Sequence, residues 1–129
     1  MISKNRKNKI KKALNELTCN IELIEVYDQS IAKYEDLKKE QNNQLENWQL
    51  EELIEWKKRR LELFKKTDSL LAGINSLTNE SDIKLYEVVN ERYINKKSII
   101  AIAHTMSFSE DRVKQLLNEA YYKLDNFIL

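Results

Sequence analysis

Residues 98–124 read SIIAIAHTMSFSEDRVKQLLNEAYYKL, and the fold of the whole chain turns on how that stretch is parsed. Ser98 can cap a helix over 99–106, because its hydroxyl can accept a first-turn backbone N–H that has no partner within the helix. Ser107, Phe108 and Ser109 form a tight link, and Ser109 can cap a second helix that starts at Glu110. The carboxylates of Glu110 and Asp111 then fall in its first turn, where the positive end of the helix dipole favours them. Two short helices across a turn of three residues are the helix-turn-helix pattern. Ala103 supplies the small residue where the second helix crosses the first, and Phe108 supplies the inward apolar residue of the turn. Val113, Leu116, Leu117, Ala120 and Leu124 recur at helical spacing and form a core face. Arg112, Lys114, Gln115 and Asn118 are left on the outer side, at the helix end that enters a major groove in proteins of this kind. Arg and Lys suit the acceptors of guanine, and Gln and Asn suit adenine. The plainer alternative is a three-helix packing unit with no role in DNA binding.

Upstream, the chain reads as helices joined by polar breaks. A turn over Thr78-Asn79-Glu80-Ser81-Asp82, with Ser81 or Asn79 as cap, leads to a helix running to about Tyr93. Ile83, Leu85, Val88, Val89 and Tyr93 are available there for burial. Asn95-Lys96-Lys97 is a short loop, and the last helix extends over 110–127. Further back, residues 4–40 form one helix with apolar residues at Ile10, Leu14, Leu17, Ile21, Ile24, Ile31, Tyr34 and Leu37, a 3-4 heptad with a gap at Asp28. Glu40-Gln41-Asn42-Asn43-Gln44 is a polar break. A second helix over about 45–76 carries Trp48, Leu53, Trp56, Leu61, Phe64, Leu71 and Ile74, with Leu77 just beyond it, and Gly73 is a point where it can bend. These two helices make either an antiparallel hairpin or a rod that dimerises. Trp48 and Trp56 are expected in its core, Cys19 as a buried thiol and His104 at the surface.

Composition narrows the function classes. The chain has 129 residues, no proline and one glycine, and 33% of its residues are charged, which is the composition of long helices and argues against β-rich or Rossmann-like folds. One cysteine and one histidine give no disulfide, zinc cluster or Cys/His dyad. Glu51, Glu52 and Glu55 imitate paired catalytic carboxylates, but acids at that spacing on a charged helix face solvent. No glycine loop is present to cradle a phosphate, so no catalytic residue, cofactor or metal is expected. The apolar run at 99–103 falls far short of the roughly 20 residues that span a bilayer. The basic start lacks the apolar core of a secretion signal. A soluble, cytoplasmic, all-α protein is expected.

Net charge is +1, unevenly spread. Residues 1–12 carry six cations and no acid, residues 13–56 carry a net of −8, and residues 57–66 a net of +5. Basic clusters are the usual footprint of phosphate binding, although on a helix they also serve as solvated faces.

A family resemblance lies in the same stretch. Ile102-Ala103, Met106-Ser107-Phe108-Ser109, Val113-Lys114, Leu117, Ala120 and Leu124 resemble the helix-turn-helix of sigma factor region 4. The preceding Glu91-Arg92-Tyr93-Ile94 with Lys97-Ser98-Ile99 is similar to the ArpU/RinA-type regulators of Gram-positive phages and their satellite islands. The resemblance covers about residues 77–128. It implies a DNA-binding activator of phage late genes that works with host RNA polymerase. Glu110 and Asp111 depart from the pattern by placing acid near the groove-entering end, so a dimer or a polymerase contact has to supply part of the affinity.

The expected organisation is therefore a helical arm over 1–76, for oligomerisation or partner binding, and a helix-turn-helix DNA-binding domain over 77–129. The expected function is sequence-specific binding of double-stranded DNA for transcriptional regulation, as a homodimer joined through the arm. Arg112, Lys114, Gln115 and Asn118 would read bases, while Lys96, Lys97 and Lys123 would touch phosphates, which position without specifying. Ser109 would set the start of the reading helix. The rival is an adaptor whose helix-turn-helix no longer touches DNA and whose acidic arm binds a partner protein.

Overall fold

With no proline and one glycine, helices in this chain run until a polar cluster stops them. The computed structural model describes residues 2–129, and it is all-α. Its elements are α1 (Lys4–Glu40), α2 (Asn47–Asn75), α3 (Ile83–Val89), a π-helical turn (Asn90–Ile94), α4 (Ile99–Met106), α5 (Glu110–Leu124) and a final 3-10 turn (Asp125–Phe127). No strand occurs among the described residues.

The chain forms two compact units: residues 2–18 together with Asp68–Leu129, and Cys19–Thr67. The expected single boundary at 76/77 is thus replaced by two, after 18 and after 67. Burial explains the shift. Ile10, Leu14 and Leu17 of α1 are 0–1% exposed and share one core with Leu70, Ile74 and Leu77 and with the apolar residues of α3, α4 and α5. Three of the eight residues of the stripe that suggested a partner helix are therefore covered within the same chain, while Ile21 is exposed.

The unit Cys19–Thr67 is an antiparallel helical hairpin. Its pairings step along the two helices in opposite directions: Glu35 with Lys57 at 2.6 Å and Asp28 with Arg60 at 2.9 Å. Tyr34 donates to Glu52 at 2.8 Å and packs against Trp56 with ring centroids 4.9 Å apart. The Lys57 ammonium holds the Glu35 carboxyl below its usual range. Half of the second basic cluster is thereby engaged, since Arg59 also pairs with Glu55 within α2, while Lys58, Lys65 and Lys66 stay exposed and unpaired among the described residues. At the tip, Asn42 and Asn43 adopt positive φ (56° and 64°), a region that short polar side chains tolerate. The Asn43 N–H reaches the Lys38 carbonyl at 2.7 Å and that of Asn42 reaches Lys39 at 3.3 Å, closing the orphan carbonyls of α1 as a C-terminal glycine would. Gln49 accepts from the Glu46 N–H at 3.0 Å, which is half of a capping box.

Several expected burials are corrected here. Trp48 is 57% exposed rather than in the hairpin core, and Cys19 is exposed. Leu61, Phe64 and Leu71 are exposed, while Leu53 and Thr67 are buried on another face of α2. Apolar residues occur on two sides of α2, so the counted stripe mixed two faces.

In the other unit, Asn79 accepts from the N–H groups of Ser81 and Asp82, each at 3.0 Å. It shapes the turn but does not cap α3, whose N-cap position is Asp82, with no side-chain cap bond. Leu85, Val88, Val89 and Tyr93 are buried as expected, whereas Ile83 is exposed. Helix α5 stops at Leu124, short of the expected 127. The cause lies in α1: Arg6 pairs with the Asp125 carboxylate and donates to the Asp125 carbonyl at 2.7 Å and the Ile128 carbonyl at 3.2 Å. Ser69 adds a bond to the Phe127 carbonyl at 2.8 Å. Carbonyls at the helix end thus find partners outside the helix.

Gly73 lies under this turn. A Cβ built on it would sit 2.6 Å from Cγ of Phe127, so the glycine exists for close approach rather than for a bend. Gly73→Ala should lower stability, because overpacking costs about 1–3 kcal/mol and the gain in helix propensity returns only about 1 kcal/mol. In a Phe127→Ala background the same change should stabilise. Thermal denaturation of the four proteins checks both signs, and a Gly73→Ala chain that melts above the parent contradicts the packing argument.

Candidate nucleic-acid interface

Three backbone devices set the angle and start of α5. The Ser98 hydroxyl accepts from the Ala101 N–H at 3.1 Å and begins α4. Ser107 ends α4 in the left-handed region (φ 57°, ψ 40°), with Phe108 N–H to Ala103 C=O at 2.9 Å and Ser107 N–H to His104 C=O at 3.3 Å. This is the paired closure that usually takes glycine, here carried by serine. The Ser109 hydroxyl then accepts from the Arg112 N–H at 3.1 Å and starts α5. The expected caps at Ser98 and Ser109 are both formed.

Val113, Leu116, Leu117, Ala120 and Leu124 are buried, together with Tyr121, which sequence spacing had left out. Ala103 is buried at the crossing, and Phe108 packs partly buried against the core. The remaining surface of α5 exposes Arg112, Lys114, Gln115 and Asn118 on adjacent turns. Arg112 Nη1 lies 3.4 Å from Gln115 Oε1, so these two side chains hold one another at one flank of the face. Lys114 and Asn118 form the other flank and border a recess shared with α1. His104, Glu110 and Asp111 are exposed, as is Tyr122 further along α5.

The three lysines expected on phosphates are already engaged. Lys96, at φ 55°, donates to the Asn15 carbonyl of α1 at 3.3 Å. Lys97 pairs with Glu91, and Arg92 donates to the Lys97 carbonyl at 2.9 Å. Lys97 and Asn95 together hold the Glu91 carboxyl below its usual range. Lys123 pairs with Asp82 at 2.6 Å, and that pairing and the Asn79 amide lower the Asp82 carboxyl likewise. A phosphate would meet these lysines through the ammonium N–H groups that their present partners leave free, or by taking a partner's place.

Sequence reasoning missed the cations that do converge on α5. Lys7 and Lys11 of α1 and Arg92 of the π turn line the recess beside Lys114. Only the i, i+4 spacing of Lys7 and Lys11 beside the Ile10–Leu14 stripe carried any signal of it. Among the described residues no group of three His, Cys, Asp or Glu could hold a metal ion, and no helix is long and apolar enough to cross a membrane. No protein-family model, curated protein or solved structure matches the chain.

The Ser109 cap fixes which residues of α5 face outward. Ser109→Ala should destabilise the protein by about 1 kcal/mol and lower the melting temperature by several degrees. An unchanged melt would place the start of α5 elsewhere.

Proposed function

We propose that this chain is a sequence-specific DNA-binding transcriptional regulator, an activator of late genes of a phage or related mobile element that acts with host RNA polymerase in the bacterial cytoplasm. The observation that carries the reading is the doubly capped α4–turn–α5 unit. Its second helix buries one face and presents Arg112, Lys114, Gln115 and Asn118 on the other. A rigid helix with two amides and two cations outward has the donors and acceptors that base edges in a major groove require. Lys96, Lys97 and Lys123 flank it as phosphate contacts, through free ammonium N–H groups or in exchange for their present partners. The resemblance to sigma factor region 4 and to ArpU/RinA-type regulators supplies the polymerase and the late genes.

Footprinting on DNA of the genome that encodes the protein tests this reading. A protected site is expected, and on it Gln115→Ala should cost about 1–3 kcal/mol while leaving binding to random duplex nearly unchanged. Absence of any protected site, or equal loss on both DNAs, would move the assignment to the adaptor reading. That rival draws on Glu110 and Asp111, which repel phosphate at the groove-entering end.

A homodimer belongs to the proposal. Leu50, Ile54, Leu61 and Phe64 lie along one side of α2 at steps of four, seven and three residues, with Lys57 between them, and all four are exposed. An apolar seam of this kind wants a helix, and a second copy supplies the same seam, which suits paired half-sites. Sedimentation should show a dimer at about tens of micromolar, a range set by the free energies of short coiled coils. Ile54→Asp with Phe64→Asp should give a folded monomer. A parent chain that is monomeric at that concentration contradicts the dimer.

A further inference from the structure

The recess between α1, the π turn and α5 has a volume of about 330 Å³, within the range of small-molecule sites. Lys7, Lys11, Arg92 and Lys114 line it, and no carboxylate does. None of these four cations forms an ion pair among the described residues, although six ion pairs are formed elsewhere in the chain. The Lys7 and Lys11 ammonium groups lie 6.0 and 5.8 Å from the centroid of one ring, that of Tyr121. They are also one helical turn apart, a spacing at which like charges destabilise a helix. Tyr93 and Tyr121, which also line the recess, share a hydroxyl–hydroxyl hydrogen bond, and both are buried. One bond between two hydroxyls uses one proton and leaves the other to be donated. Burial pushes both phenols above their ordinary range, so both keep their protons at neutral pH.

Four cations without an ion-pair partner, lining one recess with a neutral hydroxyl donor, form a site that an anion of several charges would relieve. A single carboxylate leaves most of that charge unbalanced, whereas an oligophosphate chain balances it and accepts from lysine, arginine and tyrosine together. We propose that this recess binds a small oligophosphate-bearing molecule, of the class of a nucleoside di- or triphosphate. Lys7, Lys11, Arg92 and Lys114 hold its phosphates. Because Lys114 also belongs to the outward face of α5, an occupied recess removes that side chain from the face.

Isothermal titration of the 129-residue chain with sodium triphosphate and, separately, with ATP tests the proposal without any DNA, so it stands or falls apart from the DNA reading. Saturable binding is expected, weakened at least about tenfold, equivalent to about 1.4 kcal/mol, by Lys7→Gln with Lys11→Gln. Lys7→Arg with Lys11→Arg should retain it, which separates lost charge from lost fold; far-ultraviolet circular dichroism of each variant confirms the helices. No binding of either compound at millimolar concentration overturns the proposal, as does binding that the glutamine variants leave unchanged.

Discussion

Burial of Ile10, Leu14 and Leu17 beneath the C-terminal helices is the constraint on which the rest of this structure depends. Those three side chains are among the least exposed in the chain, and they come from the first helix, not from the helix-turn-helix sequence they support. A unit of α3, α4 and α5 alone would leave that side of its core open to water, and small cores have little burial to spare. The same contact brings Arg6 to the end of α5 and Lys7 and Lys11 to its side. Stability and surface charge of the candidate interface therefore share one origin.

This arrangement alters how charge is read. The net charge of +1 conceals a division of labour between two basic clusters. That at 57–66 has three of its six cations matched by acids within the hairpin, where exposed pairs contribute little energy and the two that cross between helices, Lys57 with Glu35 and Arg60 with Asp28, favour one register. The cluster at the start of α1 sends Arg6 into a capping role but leaves Lys7 and Lys11 unmatched beside α5. An unpaired cation is available to a ligand in a way that a paired one is not. The distinction depends on tertiary neighbours.

Local features were legible in the sequence, and features made by distant neighbours were not. Ser98 and Ser109 could be identified as caps because capping is settled within four residues, and the core face of α5 followed from its spacing. The hairpin break at 40–44 was legible for the same reason. By contrast, Ile10, Leu14 and Leu17 have the spacing of a coiled-coil seam, and a 3-4 stripe does not say whether its cover is another chain or the same one. Helix α2 carries apolar residues on two faces, so counting every one of them put Leu61 and Phe64 inside when they are exposed. Ser107 was read as part of a link, but glycine normally marks its left-handed position and nothing local announced it. The recess at α5 joins residues from opposite ends of the chain, which no window along the sequence contains.

With Ile10, Leu14 and Leu17 inside the shared core, the start of α1 and the helix-turn-helix open and close as one cooperative unit. Native-state hydrogen exchange of residues 1–129, followed amide by amide, reads this cooperativity. Amides of residues 10–18 in α1 and 113–124 in α5 should share one opening free energy and one denaturant dependence. Amides of residues 10–18 that exchange at the rate of a frayed helix end, while those of α5 stay protected, would contradict it.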